Sequence, residues 1–204
     1  MLKKYFDKNL VEAGCDEAGR GCLAGPVVAA AVILPKGYKN KLLNDSKKLT
    51  HEQRETLRVE IEKKALTYAI GFYTNEQIDE VNILNASFYS MHLALDQLSL
   101  VPEHILIDGN RFIPYKNIKH TCVIKGDGKY MSIAAASILA KTYRDAWMKK
   151  LHEEFTCYNW AQNKGYPTEE HRKAIAEFGS CKYHRKSFTL LPDEQLELFN
   201  ADEW

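Results

Sequence analysis

The segment Gly14-Cys15-Asp16-Glu17-Ala18-Gly19-Arg20-Gly21 closes a short apolar run with two adjacent acids and then opens into a glycine-flanked arginine. Asp108 ends the run His104-Ile105-Leu106-Ile107, and Asp127 follows Cys122-Val123-Ile124-Lys125-Gly126, each with a glycine after it. Three strand-like segments thus each deliver a carboxylate to a strand end. Carboxylates gathered in one place repel one another unless a cation sits among them. Oxygen-only ligation selects a hard ion, Mg²⁺ or Mn²⁺, which completes its shell with waters and substrate phosphates. The chemistry to expect is metal-dependent phosphoryl transfer or phosphodiester hydrolysis. Taken singly, an Asp-Glu pair is commonly solvated surface and an Asp-Gly step is commonly a turn. The recurrence of all three in one context is what favours a site.

Other segments could hold an anionic polymer. Gly19-Arg20-Gly21 lets a backbone approach a ligand closely, and a plain tight hairpin is compatible with that use. Asp45-Ser46-Lys47-Lys48 precedes a helix start, where hydroxyl, ammonium and free N–H groups suit phosphate. Lys141, Arg144 and the run His184-Arg185-Lys186-Ser187 add basic groups that could track a nucleic-acid backbone. Tyr166, between Gly165 and Pro167, could stack on a sugar or base, or simply pack. The net charge is only +1, so any polyanion affinity must be local.

The elements needed to position these groups read as follows. Strands are expected near Leu10–Cys15, Val27–Leu34 and Leu66–Tyr73, the first two joined by the glycine-rich turn, with shorter buried strands at Ile105–Ile107 and Thr121–Ile124. Thr50 and Gln53 form a capping box ahead of a helix carrying Leu57, Ile61 and Ala65. Asn75 can cap a short helix, and helices are expected over Leu84–Leu98 and Ser132–Phe155. A further helix opens at Pro167-Thr168-Glu169-Glu170 and stops at Gly179. The order predicts an α/β fold in which a three-stranded antiparallel meander is extended by two parallel strands, with helices over its faces and the acids near one edge.

The chain has 204 residues, 45% of them hydrophobic, enough for one core. Residues 1–7 lack the apolar stretch of a signal peptide, and the longest apolar run, Pro26 to Pro35, is too short to span a bilayer. Five cysteines without a Cys-x-x-Cys pair favour reduced thiols in a cytoplasmic protein, with no membrane partner. The seven histidines show no metal-binding spacing.

Together the chain resembles the type 2 ribonuclease H family (ribonuclease HII). The resemblance is carried by residues 14–21, Asn44-Asp45-Ser46-Lys47-Lys48-Leu49, Asn82-Ile83-Leu84-Asn85-Ala86 and Leu106-Ile107-Asp108-Gly109-Asn110. It continues through Lys125-Gly126-Asp127, Ala135-Ala136-Ser137-Ile138-Leu139-Ala140-Lys141, Lys164-Gly165-Tyr166-Pro167-Thr168 and His184-Arg185-Lys186-Ser187-Phe188. It runs from about residue 10 to 190. It implies a ribonuclease H-like catalytic domain over 1–190: a mixed five-stranded sheet flanked by helices, with a C-terminal helical extension. The implied enzyme cuts the RNA of RNA–DNA hybrids and the 5′ side of single ribonucleotides in duplex DNA, leaving a 3′-OH and a 5′-phosphate. In it Asp16, Glu17, Asp108 and Asp127 bind two Mg²⁺ or Mn²⁺ ions, the Gly19-Arg20-Gly21 backbone senses the 2′-OH, Tyr166 stacks near the following deoxyribose, and Ser46 and Lys47 hold phosphate. The protein is expected to act as a monomer. The rivals are another nuclease of the same fold, such as a junction resolvase or a type 3 relative, whose extra N-terminal domain is not expected before Asp16, and a non-catalytic hybrid-binding or clamp-associated protein of this fold. Gln195-Leu196-Glu197-Leu198-Phe199, in the tail 191–204, resembles the pentapeptide by which bacterial replication and repair proteins bind the sliding clamp. The same residues equally suit a terminal helix from Pro192 that packs Leu196 and Phe199 on the core.

Overall fold

The computed structural model describes residues 2–43, 46 and 49–191. Lys47 and the tail residues Gln195, Leu196, Leu198 and Phe199 therefore lie outside the described residues. Five strands, β1 (Glu12–Ala18), β2 (Val27–Ile33), β3 (Thr67–Tyr73), β4 (His104–Asp108) and β5 (Lys119–Val123), form one sheet in the order β3-β2-β1-β4-β5. β1, β2 and β3 are an antiparallel meander, and β4 and β5 add in parallel, as the sequence predicts. The helices are α1 (His51–Lys64), α2 (Asn75–Val81), α3 (Ile83–Asp96), α4 (Met131–Glu154), α5 (Trp160–Asn163) and α6 (Glu169–Phe178).

β2 is buried along its whole length, which its run of small and branched apolar residues requires. Ala30 and Val32 face a cluster built on α4, while Ala29, Ala31 and Ile33 face a cluster built on α3, so the two helices cover opposite faces. The alanines of α4 let it lie close on β1, and Gly14 marks the tightest approach: a Cβ there would collide with the main chain at Ser132. A third cluster, with Leu23, Met148, Tyr158, Trp160 and Ile175, joins the C-terminal helices to the loop after β1. Among the described residues no helix is long and apolar enough to cross a membrane.

Several expectations shift. β1 runs on to Ala18 because Glu17 and Ala18 still pair with Ala29 and Val28, so Asp16 and Glu17 stand within a strand. That strand is the middle of the sheet, and its carboxyl end lies beside that of β4. β5 ends at Val123, Lys125 takes a left-handed conformation (φ 55°), and Asp127 falls in the 3-10 turn Gly126–Gly128 rather than at a strand end. The capping box of α1 is present as expected, but Thr74, not Asn75, caps α2. Asn75 instead donates to the carbonyls of Lys182 (2.9 Å) and His184 (3.5 Å), tying α2 to the C-terminal segment.

Candidate active site

β1 and β4 run in parallel, and the register pairing Cys15 with Ile107 brings the ends carrying Asp16, Glu17 and Asp108 together. Asp16 is buried, accepts Glu17 N–H at 2.7 Å and receives the Ser137 hydroxyl. Ser137 Oγ is in turn 2.9 Å from Ser46 Oγ, which seats Ser46 on α4. Burial drives the Asp16 carboxyl well above the ordinary carboxylate range, and the charges of Glu17 and Asp108 add to that; the Ser137 and Glu17 hydrogen bonds oppose it. Glu17 is raised as well, first by burial, against the pull of the Arg20 guanidinium 3.5 Å away; Asp108 pushes it further up. Asp108 accepts Gly126 N–H at 2.6 Å, which pins the 3-10 turn against β4. Asp127 is buried in that turn, where it accepts Gly128 N–H at 2.9 Å.

One cavity of about 320 Å³ is lined by Asp16, Glu17, Asp108, Gly19, Arg20, Gly21, Ser46 and Tyr166, together with Ser137 and Lys141. Eight of the expected residues thus share a single surface, and Asp127 does not line it. Among the described residues no three His, Cys, Asp or Glu close around one point in a ready-made metal cage. The donor set nevertheless fits a hard divalent cation. Asp16 and Glu17, each held back from ionising first by burial and then by the charge of Asp108 nearby, would be relieved by a cation in the cavity. A shell left open to water and phosphate is usual for Mg²⁺. Tyr166 is 38% exposed, and its ring lies 5.6 Å from Lys141 Nζ and 5.8 Å from the Arg144 guanidinium. An adjoining cavity of about 550 Å³ shares Lys141 and Tyr166 and adds His51, Arg54, Lys149 and Lys164.

The basic groups read as a backbone-tracking patch divide differently. Arg144 and Arg185 are fully buried, their guanidinium groups spent on main-chain carbonyls. His184 is buried beside His171, and burial first and the His171 charge second pull it down to about 4. The Asp79 carboxylate takes the N–H groups of Lys186 and Ser187. His184 and Arg185 therefore organise the protein's interior, while Lys186 and Ser187 stay exposed. Charge type alone suggested a surface, because arginine is seldom fully buried. Ser137, the hydrogen-bonding partner of Asp16, had no mark in the sequence beyond its place among small helix residues.

The family model for ribonuclease HII matches residues 13–191. A ribonuclease HII from Bacteroides thetaiotaomicron is 66% identical over 198 residues, covering 97% of this chain and 99% of its own. Among solved structures, the ribonuclease H2 from Pyrococcus horikoshii OT3 superposes with a TM-score of 0.75 at 26% identity, over 93% of this chain and 98% of that one. The RNase HII in a PCNA:RNase HII complex from Archaeoglobus fulgidus gives 0.74 at 28%, over 90% and 98%. With that match spanning the sheet, the acidic cavity and the Tyr166 loop, the chain belongs to the ribonuclease HII family and is an enzyme of the ribonuclease H type.

Proposed function

We propose that this enzyme hydrolyses the RNA strand of RNA–DNA hybrids and cuts on the 5′ side of single ribonucleotides embedded in duplex DNA, leaving a 3′-OH and a 5′-phosphate. The observation carrying this reading is the single cavity that holds mutually repelling acids, an open glycine turn and an aromatic ring together. Asp16, Glu17 and Asp108 would hold Mg²⁺ or Mn²⁺, with Asp127 presented from the neighbouring turn. Two such ions, when bound, supply Lewis acidity for water activation and for charge at the departing 3′ oxygen. The chain's own groups do the rest. Ser137 orients Asp16, and Arg20 favours the ionised form of Glu17. The backbone of Gly19-Arg20-Gly21 reads the 2′-hydroxyl, the group that separates RNA from DNA at one nucleotide. Tyr166 stacks on the following deoxyribose, and Ser46 and Lys47 steady a phosphate. The cations of the adjoining cavity extend this surface along the backbone.

Two features of setting belong with this reading. All five cysteines are free thiols, which suits a cytoplasmic enzyme. The Archaeoglobus relative forms a complex with PCNA, which supports a clamp-type partner for this enzyme, and the 195–199 segment is the part of the sequence that we propose binds it. The deciding assay offers duplex DNA containing one ribonucleotide, with Mg²⁺ or Mn²⁺, and maps both new ends. A cut 5′ to the ribonucleotide with a 3′-OH is the expected product. No cut, or a cut leaving a cyclic or 3′-phosphate end, would overturn the reading.

A further inference from the structure

Arg144 and Arg185 approach each other from separate parts of the chain, Arg144 from the middle of α4 and Arg185 from the segment after α6. Both have no exposed surface. Among the described residues neither forms a salt bridge. Each guanidinium instead donates to three main-chain carbonyls. Arg185 reaches Gly19 O from Nη2 (2.8 Å), Arg20 O from Nη1 (2.9 Å) and Gly25 O from Nε (3.0 Å). Arg144 reaches Lys164 O from Nη1 (2.8 Å), Pro26 O from Nε (3.0 Å) and Ala24 O from Nη2 (3.1 Å). The six acceptors belong to two segments only, residues 19–26 and Lys164 of the Tyr166 loop. Main-chain bonds stitch the same pieces together: Leu23 N–H to Gly165 O, Arg185 N–H to Leu23 O and Gly25 N–H to Tyr183 O.

Two like charges buried side by side are costly, and apolar residues could fill such a space at no electrostatic cost. What apolar residues could not do is fix six carbonyl directions at once, which the planar guanidinium fork does. The packing is specific as well. Gly19 holds a φ of +98°, and a Cβ there would collide with Arg144 Nε, so the guanidinium lies directly against the turn. The same guanidinium stands 5.8 Å from the Tyr166 ring.

We propose that Arg144 and Arg185 are positioning residues that set the separation between the Gly19-Arg20-Gly21 backbone and the Tyr166 ring, and that they thereby govern cleavage at an isolated ribonucleotide. This rests on the reading above, in which the turn meets the 2′-hydroxyl and the ring meets the next sugar. A lone ribonucleotide offers one place to engage both, whereas a continuous hybrid offers many registers. Misplacement by about 1 Å costs on the order of a hundredfold in rate when geometry is the contribution.

Arg144→Lys and Arg185→Lys keep the charge and lose the fork. On a single-ribonucleotide duplex, kcat should fall about a hundredfold with KM within about twofold, and on a long RNA–DNA hybrid the loss should stay within about tenfold. Affinity for an all-DNA duplex should not change. Arg144→Lys combined with Tyr166→Ala should be no worse than Tyr166→Ala alone, since both act through one loop. Equal losses on both substrates, or losses that multiply in the double variant, would overturn the proposal. If the lysine variants fail to fold, hydrogen exchange on the unaltered enzyme decides. The amides of Leu23, Gly25 and Arg185 should open as one unit, and separate opening free energies for them would refute the brace. Failure of the functional reading looks different: the unaltered enzyme then shows no cut at a single ribonucleotide, whatever the exchange data say.

Discussion

Asp16 is buried, bonded to Ser137 and Glu17 N–H, and still holds its proton more tightly than a free carboxyl. A carboxyl whose folded pKa is raised contributes stability at low pH and withdraws it as pH rises through the raised value. Asp16→Asn should therefore melt higher than the parent in chelator at pH 8, by a few degrees for about 1 kcal/mol. The same variant should lose cleavage by at least about 10²–10³-fold, and added Mg²⁺ or Mn²⁺ should stabilise it less than the parent. Near-parental cleavage by Asp16→Asn would remove it from the metal site. The glycines of the neighbouring turn allow a cleaner dissection. A Cβ at Gly21 meets nothing within 4 Å, whereas one at Gly19 collides with Arg144. Gly21→Ala should keep the parental melting temperature within about 2 °C and lose activity through the ligand alone. If Gly21→Ala cleaves normally, substrate does not approach there. At this scale the gathering of Asp16, Glu17 and Asp108 was legible, because carboxylates after apolar runs are unusual, while Asp127 falls in a turn outside their cavity. Arg144, Arg185 and His184 were not, since their role depends on carbonyls from distant segments that spacing cannot reveal.

The elements were read well where local chemistry decides them. Thr50 with Gln53, Thr168, and Gly179 mark helix ends in the sequence and in the structure alike. The misses came where tertiary pairing overrode local cues: β1 continues through two acids because β2 still offers partners, and the left-handed Lys125 takes Asp127 out of the strand. The segment from α5 to His184 hides a different feature. Trp160 Nε1–H donates to His171 Nε2 at 2.9 Å, and His171 Nδ1 lies 2.9 Å from Tyr166 O. That assigns the proton to Nδ1 of His171. His184 Nδ1 accepts Cys181 N–H at 3.0 Å, and the two Nε2 atoms are 3.2 Å apart. Both rings are satisfied only when neutral. Burial lowers His171, and His184 is down at about 4. A base with a depressed folded pKa contributes stability above its unfolded value, near 6.5, and loses it as pH falls toward the folded one. Melting temperature should drop between about pH 6.5 and pH 4, and His184→Gln should flatten that slope. An unchanged slope in the variant would place the acid sensitivity elsewhere.

For the whole molecule, a net charge of +1 means that long-range attraction to nucleic acid is weak, and encounter depends on local cations. A tether would offset that weakness. Full-length protein should bind its cognate sliding clamp in surface plasmon resonance. The pair of changes Leu198→Ala and Phe199→Ala should abolish binding while cleavage of short duplexes stays within about twofold. Absence of binding by the intact protein, or unfolding of the double variant, would leave packing as the role of those residues.

The acids and the Gly19-Arg20-Gly21 turn differ in how they are anchored. Asp16 and Glu17 ride on β1, which is hydrogen-bonded on both sides at the centre of the sheet. The turn and the Tyr166 loop hang on two arginines and a few main-chain bonds. Peripheral units open before central strands do. Warming toward the melting temperature should therefore separate fidelity from hydrolysis: the preference for a lone ribonucleotide fades first, while cutting of long hybrids persists until the sheet itself melts. Cleavage ratios measured on the two substrates up a temperature ramp would show the two declines apart, and a constant ratio up to the melting point would show that turn and sheet open together.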